Sequence, residues 1–121
     1  MLHYDEALYR SVVNAYTEEH GLDRTVLDVF LPFLAQIGVL WLTNSICPAQ
    51  EHFVSNLMRQ SLQAGVERLS VQSDKDQAVV VLFLPEREIH DISLLFVHYL
   101  CMLNGYQSIF LGANVPFEDL L

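Results

Sequence analysis

The stretch 78-AVVVLFLPEREIHDISLLFVHYLCMLNGYQSIFLG-112 decides the fold. Ala78 to Leu84 is an unbroken apolar run rich in valine, the composition of a parallel strand buried on both faces. A loop follows from Pro85 to His90. Asp91 to about Asn104 then reads as a largely apolar helix ended by Gly105. Ser108 to Leu111 forms a second short strand before Gly112 and Pro116, and a further helix is expected to open at Phe117. This is one βαβ unit with a right-handed crossover. Doubly wound sheets have about five or six strands, so the sheet is expected to be incomplete in this chain.

Upstream, the polar run Gln72-Ser73-Asp74-Lys75-Asp76-Gln77 reads as a linker. Before it the apolar period changes to that of helices. From Asp5 to about Glu19, Leu8, Val12, Val13 and Tyr16 share a face, and Gly21 closes the helix. A second helix runs from Asp23, read as its N-cap, through Val26, Val29, Phe30, Phe33, Leu34 and Ile37 to Trp41, bent by Pro32. After the turn Thr43-Asn44-Ser45, Pro48 opens a third, which carries Phe53, Val54, Leu57, Met58, Leu62 and Val66. Short connections between amphipathic helices imply an antiparallel bundle. The expected organisation is α plus α/β: a helical bundle over 1–71, a linker over 72–77, and over 78–121 the first part of a flavodoxin-like (Rossmann-type) parallel sheet.

The chain of 121 residues is 52% hydrophobic, enough for one compact core and the start of a second. Six Lys and Arg against 15 Asp and Glu give a net charge of −9, which excludes a basic surface for phosphate backbones. Cys47 and Cys101 lack any zinc spacing and are read as buried thiols. No long apolar stretch is free of polar interruption and no signal pattern opens the chain, so a cytoplasmic, soluble protein without membrane contact is expected. No nucleophile or acid–base pair suggests independent catalysis, and an enzyme is not expected.

Two clusters carry chemistry. Trp41, Glu51 and His52 stand in the pattern W-x9-EH, with the aromatic residue at one helix end and the acid and imidazole at the start of the next. Taken alone, these residues read more simply as a core tryptophan and a solvated first helical turn than as a site. Glu88-Ile89-His90-Asp91-Ile92-Ser93 lies in the loop after a central strand, where open α/β sheets bind ligands. An imidazole there suits a metal, with Glu88 hydrogen-bonded to its other nitrogen. The alternative is a plain N-cap in which His90 or Asp91 satisfies helix N–H groups.

Together, W-x9-EH followed by E-x-H-x-x-S after a hydrophobic strand resembles the cobalamin-binding region of MerR-type transcription regulators, including the light-responsive repressors of carotenoid synthesis. It is similar more distantly to the cobalamin module of methionine synthase. The resemblance implies a helical cap above the corrin and a flavodoxin-like domain below it. It makes His90 the lower axial ligand of the cobalt, with Glu88 behind it and Asp91 and Ser93 completing the motif. It puts Trp41, Glu51 and His52 above the corrin, where the adenosyl group of adenosylcobalamin sits.

Two positions depart from that family. Ser93 stands where the motif has glycine, and Leu42 follows Trp41 where some light-sensing members have histidine. The resemblance implies a ligand-sensing module that forms a homo-oligomer, dimer or higher, and that touches DNA only through a helix-turn-helix expected to lie outside this chain. Two alternatives stay open: a corrinoid protein of a methyltransferase system, and an interaction scaffold of the same fold that does not retain cobalamin.

Overall fold

The computed structural model describes residues 4–69, 78–88 and 90–121. The expected linker 72–77 lies outside the described residues. The chain forms two compact units, Met1–Gln60 and Ser61–Leu121.

The first unit is helical. Helix α1 spans Glu6–His20, with the Asp5 carboxylate accepting the Leu8 N–H at 2.9 Å as its N-cap. Gly21 ends it at φ 89°, and a Cβ there would meet the Asp23 carboxylate at 2.9 Å, so glycine is required. The next helix starts at Leu22 rather than at Asp23. It runs continuously to Leu42 as α2 (Leu22–Thr25), a π-helical turn (Val26–Phe30) and α3 (Leu31–Leu42). The wide turn has a cause in the sequence. Pro32 has no N–H to donate, and its ring would clash with the carbonyl four residues back; the Leu31 N–H instead reaches the Val26 carbonyl, five residues back.

The wide turn also changes which residues point inward. Val26, Phe30 and Ile37 are buried, whereas Trp41, expected on the same face, is 50% exposed. On α1 the buried residues are Tyr9 and Val13, while Leu8 and Val12 are exposed, a correction of the expected face. Tyr9 turns inward because its ring stacks on Phe30, 6.3 Å between centroids and 17° between planes. Thr25, fully buried, donates to the Gly21 carbonyl at 2.9 Å and accepts from the Thr17 hydroxyl at 2.8 Å, so its polar atom is satisfied. By length and composition Leu22–Leu42 is apolar enough to cross a membrane; in this unit its Asp28 accepts from the Tyr16 hydroxyl and from Arg24, both at 2.7 Å.

Helix α4 spans Pro48–Arg68 and contributes to both units. Val54, Leu57, Met58 and Leu62 are buried along it, as their spacing requires.

The second unit contains strand β1 (Val80–Phe83), helix α5 (Ile92–Leu103) and strand β2 (Ser108–Gly112), followed by a 3₁₀ turn at Phe117–Leu120 where a helix was expected. The strands pair in parallel, Val80 with Ser108 and Leu82 with Phe110. The register then shifts, so that Phe83 pairs with Gly112 at φ 84° and Leu111 forms a bulge. α5 packs on both strands, its buried residues are Leu95, Phe96, His98 and Tyr99, and His98 meets Ser108 and Phe110 of β2. The expectation that β1 is buried on both faces is not met. Val81, Ile109 and Leu111 alternate onto the opposite face and are exposed, because among the described residues α5 is the element packed on this sheet.

Candidate functional site

In the first unit, the corner between α3 and α4 holds Trp41, Glu51 and His52. Trp41 lies in the last turn of α3, where Asn44 N–H donates to its carbonyl at 3.2 Å and Ser45 N–H to that of Leu40 at 2.8 Å. Asn44, at φ 54°, reverses the chain, and buried Ile46 anchors the connection. Cys47 precedes α4: its N–H donates to Gln50 Oε1 at 3.0 Å, the side-chain half of a capping box, and Gln50 N–H donates to the Cys47 carbonyl at 3.1 Å. Cys47 is exposed, not buried as its composition suggested. The Gln50 N–H pulls its thiol below the usual range, and the Tyr4 hydroxyl adds to this.

Glu51 and His52 follow one turn into α4. Glu51 Oε2 lies 2.6 Å from His52 Nδ1, and the imidazole is 70% exposed. The acid is partly buried and the ring stands in solvent, so the pair presents Nε2 outward.

In the second unit, the loop after β1 holds Glu88, His90 and Asp91, and Ser93 lies in the first turn of α5. Glu88 Oε1 accepts the backbone N–H of His90 at 2.9 Å and lies 3.0 Å from its Nδ1. One carboxylate oxygen therefore fixes both the main chain and the ring, and leaves Nε2 as the nitrogen open to a ligand. The imidazole is 88% exposed at the carboxyl end of a parallel strand. Asp91 occupies the N-cap position of α5, but its side chain makes no capping hydrogen bond. Ser93 is exposed in the first turn of α5. Ile89, between Glu88 and His90, lies outside the described residues.

Two further residues, which the sequence reading did not single out, shape this loop. Pro85 to Glu88 form a turn closed by the Glu88 N–H on the Pro85 carbonyl at 3.2 Å, with Arg87 at φ 72°. That conformation costs a residue with a side chain about 1–2 kcal/mol. The Arg87 N–H donates to Asn114 Oδ1 at 3.0 Å, from the loop after β2, and Asn114 is itself at φ 61°. The signal available in the sequence was weak: an asparagine before Val115-Pro116, a residue type that tolerates the left-handed region.

A single imidazole backed by a carboxylate is a donor set with a definite use. A metal held only by protein needs three or four ligands. One already held by a macrocycle needs an axial ligand alone.

Comparison with known families matches residues 1–64 to the B12 binding domain. The chain belongs to the B12-binding domain family. It is also 30% identical, over 93 residues and 77% of its length, to the HTH-type transcriptional repressor CarH of Myxococcus xanthus. The chain spans 30% of the length of that relative. The family match covers α1 through most of α4 and so includes Trp41, Glu51 and His52, whereas Glu88 and His90 lie downstream of it.

Proposed function

We propose that this chain is the cobalamin-binding, ligand-sensing part of a MerR-type transcription regulator in the cytoplasm. The carrying observation is the exposed His90, whose Nδ1 is held by Glu88 so that Nε2 would be the atom that holds the cobalt of a bound cobalamin. The fit rests on donor chemistry: a neutral imidazole suits cobalt, and the carboxylate behind it fixes the tautomer. When bound, the cofactor, adenosylcobalamin in this reading, would supply a cobalt centre with an exchangeable upper ligand. Asp91 and Ser93, beside the imidazole at the start of α5, would contact the bound group.

The residues of this chain have separate tasks. Glu88 orients the ring and keeps its proton on Nδ1. Trp41 would give the helical unit an aromatic surface toward bound cobalamin that excludes water, and Glu51 with His52 would form the polar part of that surface. Because the ligand contacts differ between bound and free states, binding biases the packing of the module and through it oligomeric state and operator affinity. DNA contact belongs to a helix-turn-helix outside this chain, consistent with the net charge of −9. The kinship with a transcriptional repressor supports the regulatory reading.

The test is a titration with aquacobalamin and with adenosylcobalamin in the dark, followed by absorbance. Wild type should give a saturable spectral change that His90→Ala abolishes and Glu88→Ala weakens by roughly 10- to 100-fold. A spectrum that does not change, or that changes equally in His90→Ala, refutes the proposal.

A further inference from the structure

We infer that Asn114 is a positioning residue for the His90 loop: its side-chain carbonyl holds the Arg87 N–H and thereby sets where Glu88 presents the imidazole. The inference rests on the reading of His90 as the cobalt ligand and adds a residue from the other loop at the same end of the sheet.

The geometry is a clasp between the two loops. At its root the Leu84 N–H donates to the Gly112 carbonyl at 2.9 Å, and the Val115 N–H donates to the Leu84 carbonyl at 2.9 Å. These backbone bonds join the loop bases and leave the turn beyond them to be fixed separately. The Asn114 side chain reaches that turn, accepting the Arg87 N–H at 3.0 Å. Arg87 occupies the third position of the turn at φ 72°, a conformation an arginine does not favour and that must be held from outside. Asn114, at φ 61°, is of a type suited to such a backbone, and its conformation brings the carboxamide to the neighbouring loop.

From Arg87 the constraint passes along the chain. Glu88 is the next residue, and its Oε1 takes both the His90 N–H at 2.9 Å and Nδ1 at 3.0 Å. Packing does little to hold the imidazole, which is 88% exposed. Hydrogen bonds must set its position, and they lead back through the turn to Asn114. A loop already fixed in its binding geometry loses less freedom when the ligand arrives.

Three variants separate the acceptor from the backbone. Asn114→Gly keeps the positive φ and removes the acceptor, Asn114→Asp keeps an oxygen at the same place, and Asn114→Ser shortens it should the glycine variant fail to fold. Aquacobalamin affinity, read by absorbance, should fall roughly tenfold in Asn114→Gly and stay within about threefold of wild type in Asn114→Asp. Amide exchange at Arg87 and the 15N signals of the His90 ring are measured by NMR without cobalamin. In Asn114→Gly the Arg87 amide should exchange faster and the ring should drift toward a mixture of tautomers, with Asn114→Asp restoring both.

Unchanged Arg87 exchange and an unchanged ring in Asn114→Gly overturn the positioning role, whatever His90 binds. Wild-type cobalamin binding by His90→Ala instead overturns the cobalt reading, and the NMR measurements then still decide whether Asn114 sets the loop.

Discussion

Replacing Phe30 by alanine should come close to unfolding the helical unit. Phe30 is fully buried, it stacks on Tyr9, and it ends the π-helical turn that Pro32 imposes. Truncating a buried phenylalanine to alanine costs about 3–5 kcal/mol, because the cavity collapses only in part. A unit of the size of Met1–Gln60 holds roughly 3–9 kcal/mol, at about 0.05–0.15 kcal/mol per residue. The loss is therefore about a third of the unit's stability or more. Trp41 is the single tryptophan and lies in this unit, so its fluorescence reports on the unit during a urea titration. With a slope of about 1 kcal/mol per molar urea, the midpoint should fall by about 3–5 M, and Phe30→Leu should give a clearly smaller shift. Val39→Ala, at an exposed position of the same helix, should stay within about 0.5 kcal/mol of wild type. A Phe30→Ala shift no larger than that of Val39→Ala would refute the packing described for this unit.

Burial pushes the His98 imidazole below its usual range, and its Nδ1 pairs with Ser108 Oγ at 2.8 Å. The unfolded chain takes up this proton near pH 6.5 and the folded chain does so only lower, so below about 6.5 the unfolded state binds more protons. The stability of the second unit is expected to be complete above that pH and to decline as pH falls toward the lower folded value. Urea midpoints at pH 7 and pH 5 should show the decline in wild type and a smaller one in His98→Gln; equal declines would exclude His98 as its source. Iodoacetamide followed by peptide mass mapping should label Cys47 before Cys101, since the first is exposed with a thiol pulled down by the Gln50 N–H and the second is half-buried. Earlier labelling of Cys101 would contradict the capping geometry.

Much of this architecture was readable where the determinants are local. The inward residues of α4 follow from spacing alone, and Gly105, at φ 83°, ends the turn after α5 as a glycine there should. The Glu88–His90 pair was readable because the residues lie two apart in a loop too short to separate them. The face of α1 was not. Leu8 with Val12 and Tyr9 with Val13 are adjacent i, i+4 pairs, and the choice between them depends on where Phe30 comes to lie. Proline at position 32 announced a disturbance of the helix, but not that a wide turn would leave Trp41 half in solvent. The link from Asn114 to Arg87 joins residues 27 apart through a side-chain carbonyl, and neither residue advertises it. At the candidate site the imidazole and its carboxylate stand in the sequence, whereas the scaffolding that aims them is a tertiary property.

The uncovered sheet face has a colloidal consequence. Exposed Val81, Ile109 and Leu111 favour apolar association, and what opposes it is the surplus of carboxylates that every copy carries. That repulsion reaches about 30 Å in 10 mM salt and only about 8 Å at 0.15 M. Purification in dilute buffer would thus keep molecules apart that physiological salt lets touch, and ionic strength sets how sticky this β surface becomes.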